Sequence, residues 1–417
     1  MHDTKLQSSQ LLGASNNIFE SYMPRIGVMG VGGAGTNAIN LLQSELDGQV
    51  DFLVCNTDVQ SLGSSRCENR IILGPKITRG KGAGARPELG KASAEDSIED
   101  IIKEIKSKAI DMLILIGGEG GGTATGALPV IASAVRNEGI LTIGVVTKPF
   151  HSEGDHRRAI AEQGIQELQK EVDALVVIAN ERLTSLTNAQ ISFKRALEIT
   201  DTFVCDCVRS FVSIVKDTGL INVDYADLCS VAKDKKTRAL MGTGYGEGEH
   251  CGQKAIEEAM SNFLLDFDGI DWASVSSVAI AIHGGEDLPM SDFVDINETL
   301  RRAISPNANI ITGTTIRPDM KGCVQVFIFG TGPANVKPLS HDRQSIINTN
   351  DVKYSDTEYV GSRHTLNEPF GSTYKATEEL DELPEAPQKK RGFLARLMGS
   401  DDDNSGNDSY PDFFKKK

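Results

Sequence analysis

The segment that most restricts this chain is Gly117-Gly118-Glu119-Gly120-Gly121-Gly122-Thr123-Ala124-Thr125-Gly126, with six glycines in ten residues, directly after the apolar run Met112 to Ile116. Glycine lets the backbone approach a bound group closely, and successive N–H groups with two threonine hydroxyls suit phosphate oxygens. The following helix is expected to start between Ala127 and Pro129. A second cluster, Gly30-Val31-Gly32-Gly33-Ala34-Gly35-Thr36-Asn37, follows the run Arg25 to Met29 and leads into a helix expected at Ala38. A helix N-terminus offers free N–H groups and the positive end of its dipole to an anion. The same cluster fits the G-x-G-x-x-G dinucleotide fingerprint, with Asp58 near the place of the ribose-binding acid, and a plain strand-to-helix packing turn also accounts for it. A third stretch, Gly80 to Pro87, is expected to cover the same pocket. A Walker loop is absent: five residues separate Gly74 from Gly80-Lys81, and Gly82 stands where Ser or Thr is required.

Short apolar runs alternate with helical patterns. Arg25–Met29, Asp51–Cys55, Met112–Ile116, Ile140–Thr147 and Ala174–Ala179 read as buried strands, an α/β rhythm that predicts a Rossmann-like parallel sheet. Ligands of such sheets bind beyond the carboxyl ends of the strands. Gly33 to Asn37, Asn56 to Asp58, Gly117 to Thr125, Glu153 to Arg157 and Asn180 all follow those ends. The resulting pocket suits one mononucleotide, with glycine loops on its phosphates, Glu153 and Arg157 near its ribose and Asn180 at a base edge; Glu153 and Arg157 also read as a solvated pair at a helix start.

Residues 191–217 carry apolar side chains at helical spacing on more than one side, which predicts a long buried central helix. Helices at Glu249–Leu265 and Asp292–Ile304, mixed with strands at Val275–Ile282, Asn309–Ile316 and Val324–Phe329, predict a second, smaller α+β domain over 218–332. Residues 1–23 are polar and without period, a flexible arm. Beyond Gly332 the chain is too polar to offset its ordering entropy, so 333–390 is expected to be a disordered linker before a terminal peptide at 391–417.

The net charge of −15, from 43 basic and 58 acidic residues, disfavours a phosphate backbone as main partner, and no nucleic acid is expected. Seven cysteines without a Cys-x-x-Cys pair point to a reduced, cytoplasmic chain and no protein-held metal. No apolar run approaches the ~20 residues of a membrane span.

After the central helix comes Asn222-Val223-Asp224-Tyr225-Ala226-Asp227. This reads as a helix start with Asn222 as N-cap and the acids in the first turn. A spacing of three also sets Asp224 and Asp227 on one helix face, where they can polarise a water or hold a cation. They lie far along the chain from the phosphate loops, which leaves their substrate unexplained within one subunit.

These segments together resemble the tubulin/FtsZ superfamily of GTPases, in its bacterial cell-division branch, over about Arg25 to Gly332. Gly120-Gly121-Gly122-Thr123-Ala124-Thr125-Gly126 is similar to the tubulin signature, Asn56-Thr57-Asp58 to the sugar-side loop, and Val146-Thr147-Lys148-Pro149-Phe150 with Glu153 and Arg157 to the ribose loop. Asn180 and Asp201 fall where the family contacts guanine, and Asn222 to Asp227 match the loop that acts on GTP held by the next subunit. The resemblance implies a GTP-binding domain at 24–190, a central helix at 191–217 and a GTPase-activating domain at 218–332. Gly33, Ala34, Gly35, Thr36, Asn37, Asn56, Gly120 to Gly126, Glu153, Arg157, Asn180 and Asp201 would then bind GTP or GDP, with Mg2+ on the phosphates and K+ as a candidate monovalent ion. Asp224 and Asp227 would position the attacking water, and Asn222 would orient their loop. A heterologous head-to-tail contact propagates into filaments, so the chain itself is its first partner.

The chain departs from the family's pattern at three places. Ala124 replaces a usual glycine, Glu119 stands at a usual Met and Arg86 at a common Asn. The first adds a Cβ where backbone is expected to meet phosphate; the second sets a carboxylate near a triphosphate, with Lys81 or Arg86 as the expected offset. A divergent paralogue that binds GTP and polymerises with little hydrolysis is thus an alternative, and a nicotinamide-dependent oxidoreductase a further one. The family's tail implies a membrane tether or division regulator as partner and a division-site location, with Tyr410–Lys417 or Gly392–Met398 as the binding peptide.

Overall fold

The computed structural model describes residues 23–186, 192–217, 219–233, 238–261, 265 and 272–332. The expected arm before residue 23, the linker at 333–390 and the peptide at 391–417 lie outside the described residues. All described residues belong to one unit, 1–371.

Continuous apolar runs are what a parallel sheet covered on both faces requires. Six of its strands are described: β1 (Ile26–Val31), β2 (Asp51–Asn56), β3 (Arg70–Ile72), β4 (Met112–Gly118), β5 (Leu141–Lys148) and β6 (Ala174–Ala179), ordered β3-β2-β1-β4-β5-β6, every pair parallel. Alternate side chains serve two cores. Ile26, Val28, Val54, Ile114, Val145 and Val176 join one, while Met29, Val31, Leu53, Leu113, Val146 and Val177 join the other. The helices of this half are α1 (Gly32–Leu42), α2 (Pro87–Ser107), α3 (Thr123–Asn137) and α4 (Asp155–Glu171), with short helical turns at Val59–Gly63, Pro75–Thr78 and Arg182–Leu186.

The central helix α5 (Phe193–Lys216) has 24 residues, about 36 Å at 1.5 Å per residue. It buries Phe203, Val204, Cys207, Val208 and Phe211 in the first core, and Phe211 meets Phe329 of the second sheet at a ring separation of 4.9 Å. After α6 (Tyr225–Lys233) the second sheet is built from β7 (Ala239–Glu247), β8 (Ser277–Gly284), β9 (Asn309–Ile316) and β10 (Cys323–Thr331), with α7 (Cys251–Met260) following β7 and α8 (Met290–Ala303) following β8. Its order is β7-β10-β8-β9, antiparallel except for β8 against β9.

The helix starts at the two glycine clusters differ from expectation. Helix α1 begins at Gly32 rather than Ala38, and α3 at Thr123 rather than Ala127. Both glycine clusters run into the first turn because that turn presses on backbone: a methyl at Gly35 would sit 2.5 Å from the Ile116 carbonyl oxygen, and one at Gly126 2.0 Å from that of Pro87. Strand β7 went unexpected for the same reason. Its Gly242, Gly244 and Gly246 remove the apolar alternation that marks a strand, and they do so because α7 lies directly on them. A methyl at Gly244 would sit 2.0 Å from the Ala255 carbonyl oxygen. Gly244→Ala is therefore expected to cost about 1 to 3 kcal/mol, read as a lower midpoint in denaturant unfolding.

Candidate nucleotide site

Strand β1 has β2 on one side and β4 on the other, so the chain reverses its winding there and a crevice opens beyond the carboxyl ends. The predicted loops meet in that place. Thr57 Oγ1 and Thr123 Oγ1 are 2.7 Å apart, and the Gly82 N–H donates to the Thr57 carbonyl at 3.1 Å. A methyl at Gly118 would lie 2.9 Å from the Ala34 Cβ, and one at Gly122 2.8 Å from the Ala83 Cβ, so the third glycine stretch does adjoin the second.

Within these loops the glycines divide by what surrounds them. Gly32 (φ +75°) and Gly120 (φ +91°) hold left-handed backbone that side chains disfavour. Gly33 and Gly121 would place a Cβ with nothing within 4 Å, so nothing in the protein excludes a side chain there and the space in front is open to a ligand. Ala34 and Asn37 are exposed beside Gly33, and Thr123 is half-buried beside Gly121. Gly35, Thr36, Gly122, Thr125 and Gly126 are buried and brace the loops: the Thr36 hydroxyl donates to the Gly32 carbonyl at 2.8 Å, and Thr125 Oγ1 accepts from the Gly120 N–H at 3.0 Å.

The two departures in the second loop sit differently from expectation. Ala124 is buried, its methyl turned toward Gly32 and Gly117 in the helix–sheet core rather than into the open space. Glu119 forms no bond to Lys81 or Arg86. It is 2% exposed against Gly164 of α4, its carboxyl oxygens lack partners in good hydrogen-bond geometry, and burial pushes its pKa up to about 7.

On the sugar and base side, Asn56 is buried, its Nδ2 donating to Ser61 Oγ at 3.1 Å and its Oδ1 accepting from the Asp58 N–H at 3.1 Å. Glu153 accepts from the Phe150 N–H at 2.9 Å and pairs with Arg157 at 2.9 Å. The Arg157 Cγ would be 2.8 Å from a methyl at Gly120, which sets the start of α4 against the second loop. Asn180 is buried and its Oδ1 accepts from the Thr200 hydroxyl of α5 at 3.2 Å, one residue from Asp201. Burial, with Glu198 adding to it, pushes the Asp201 carboxyl up to about 6.

The aspartate loop is elsewhere. Tyr225 Oη donates to the Asp111 carbonyl at 2.7 Å, and Asp111 directly precedes β4, so α6 starts at the amino end of the sheet. The seven residues of β4 span roughly 23 Å between that end and the glycine loop. Asn222 is not the N-cap: its Oδ1 accepts from the Gly219 N–H at 2.6 Å, and the helix begins at Tyr225. Asp224 is exposed and Asp227 half-buried in the first turn. Sequence reasoning missed the anchor behind this loop. Asp217 pairs with Arg317, a hundred residues on, at 2.7 Å and lies 3.4 Å from His283 Nε2, long-range contacts that no local pattern signals.

Among the described residues no group of three His, Cys, Asp or Glu gathers as a metal-ligand set, and no helix is long and apolar enough to cross a membrane.

Comparison with known proteins agrees with this geometry. Residues 25–188 match the Tubulin/FtsZ family, GTPase domain, and residues 237–334 the FtsZ family, C-terminal domain. The chain is 43% identical over 310 residues to cell division protein FtsZ 1 of Rhizobium meliloti (strain 1021), which covers 74% of this chain and 52% of that one. It is 40% identical over 365 residues to cell division protein FtsZ of Wolbachia sp, covering 83% and 90%. The chain thus spans about half the length of the Rhizobium relative and most of the Wolbachia one. Among solved structures, the FtsZ dimer, empty, of M. jannaschii superposes with a TM-score of 0.69 at 34% identity, covering 78% of this chain and 92% of that one. The nicotinamide reading finds no support in these matches. The chain belongs to the Tubulin/FtsZ family.

Proposed function

We propose that this protein is a GTPase that assembles head to tail, the aspartate loop of one copy completing the nucleotide site of the next. The observation that carries this reading is the separation of the two halves of the machinery: glycine loops at the carboxyl end of the sheet, and the loop of Asp224 and Asp227 tied by Tyr225 to its amino end. Roughly 23 Å of strand keeps them apart within one chain, whereas a second copy stacked along the same direction brings them together. Leu220, 77% exposed, and Ile221, 48% exposed, flank the aspartates and offer apolar surface for that contact.

In this reading Gly33, Ala34, Asn37, Gly121 and Thr123 face the phosphates, while Gly35, Thr36, Gly120, Gly122, Ala124, Thr125 and Gly126 shape the loops behind them. Asn56, Glu153 and Arg157 frame the ribose, and Asn180 and Asp201 read the guanine edge. Asp224 and Asp227 of the adjoining copy orient a water for attack on the γ-phosphorus, and the bond from that phosphorus to the β–γ bridging oxygen breaks. Asn222 holds the loop shape through the Gly219 N–H. Catalysis then rests on positioning and charge. Mg2+ would be held by the nucleotide's phosphates, and K+ is a further proposed ion; a division-site location and a membrane tether or division regulator at the C-terminal peptide belong to the same proposal.

The test is GTP turnover per chain against protein concentration with magnesium, alongside pelleting. Turnover should rise above a threshold concentration at which polymer also pellets; equal turnover per chain at every concentration, without polymer, would overturn the shared site. A second reading, assembly with little hydrolysis, draws on the buried acid Glu119 beneath the loop. Polymer without turnover in the same experiment would select it.

A further inference from the structure

Glu119 is built into the second glycine loop yet faces away from its open side. Its N–H donates to the Thr147 carbonyl at 2.9 Å, and the next N–H, of Gly120, donates to Thr125 Oγ1. The side chain occupies room left by Gly164 of α4, where a methyl would sit 2.5 Å from Glu119 Oε2 and 2.3 Å from Thr125 Cγ2. Neither carboxyl oxygen has a partner in good hydrogen-bond geometry, and the Thr125 hydroxyl is the polar group beside them. A buried carboxyl with one hydroxyl beside it and no counter-charge favours its neutral form, because burial penalises the ionised one.

Three elements pack around this carboxyl. On β5, Lys148 is paired with Glu162 at 3.0 Å; on α4, Arg157 is paired with Glu153, and Glu162 and Glu167 add negative charge; on α3 the nearest polar group is the Thr125 hydroxyl, its one basic residue, Arg136, pairing with Asp173 in the last turn. None of these cations bonds Glu119. Burial lifts its pKa to about 7, the Thr125 hydroxyl beside it opposing that shift and Glu167 adding to it.

We propose that Glu119 is a positioning residue for the phosphate loop that takes up a proton when a guanosine di- or triphosphate binds. The inference rests on the GTP site proposed above. Phosphates seated before Gly121 bring negative charge two residues from Glu119, and two like charges in a poorly hydrated place favour protonation of the weaker acid. The neutral carboxyl leaves the Thr125 brace and the loop undisturbed. The carboxyl binds more protons in the complex than in the free protein, so affinity is full at lower pH and falls as pH rises through the free-state value near 7. One linked proton limits that fall to about tenfold per pH unit.

The experiment is isothermal titration calorimetry of GDP into the full chain, in two buffers of different protonation enthalpy, for the wild type, Glu119→Gln and Glu119→Met. The wild type should take up more proton per GDP near neutral pH than either variant. Its affinity should fall between about pH 6.5 and 8.5 more steeply than theirs. Titration of the GDP phosphate and of Asp201 is common to all three and cancels in the difference. Equal proton uptake and parallel pH profiles in the three proteins would overturn the inference. Failure of the wild type to bind GDP even at pH 6.5 would instead remove the nucleotide site on which it rests.

Discussion

Asp227→Asn is expected to lower GTP turnover by about 10²-fold or more while nucleotide binding and filament formation persist. The substitution keeps the shape of the side chain and removes its charge and half of its accepting capacity. Nothing that holds the loop depends on that carboxylate. Val223 and Leu228 are buried anchors on either side, Tyr225 reaches Asp111, and Ile221 exchanges backbone hydrogen bonds with Thr314 at 3.2 and 2.7 Å. The half-buried Asp227 sits in the first turn of α6, where an acid also suits the helix dipole, so a small loss of stability accompanies the change. Phosphate release measured beside pelleting and GDP binding separates these effects. Unchanged turnover in a protein that still assembles would exclude Asp227 from the chemistry.

Gly121→Asp should abolish nucleotide binding without unfolding the chain. A Cβ at Gly121 meets nothing within 4 Å, in contrast to Gly244, where a methyl collides with a carbonyl oxygen. The new carboxylate would project into the space assigned to the phosphates. At about 4 Å and an effective dielectric of about 20, one pair of like charges costs about 4 kcal/mol, nearly a thousandfold in affinity. Fluorescent GDP titration measures the loss, and thermal unfolding without nucleotide should give the wild-type midpoint. Retained affinity would mean that the phosphates do not approach Gly121.

Much of the candidate site's placement was readable because its parts are local. Each glycine cluster follows an uninterrupted apolar run, and a parallel sheet puts the ends of such runs on one edge, so Gly33, Asn56, Gly121, Glu153 and Asn180 could be gathered without coordinates. What escaped depends on backbone-to-backbone packing. The glycine clusters read as phosphate loops ending before Ala38 and Ala127, yet Gly35 and Gly126 lie inside helices, their turns touching Ile116 and Pro87. Strand β7 was hidden by glycines that make room for α7, and β3 by having three residues, none of them buried. The direction of a side chain was likewise beyond local pattern. Both Ala124 and Glu119 belong to a loop assigned to phosphate, and both turn inward, one to the core beside Gly117 and the other to Gly164.

The central claim is that the site is shared between copies, and mixing two damaged proteins tests it most directly. Asp227→Asn keeps a nucleotide pocket and lacks the loop carboxylate; Gly121→Asp keeps the loop and lacks the pocket. When the loop end of a Gly121→Asp copy caps the nucleotide end of an Asp227→Asn copy, one composite site has all of its parts. Turnover of the mixture is therefore expected to exceed the sum of the two proteins measured alone by about tenfold or more. Turnover equal to that sum, under conditions where the two proteins co-pellet, would contradict a site completed by the neighbouring subunit.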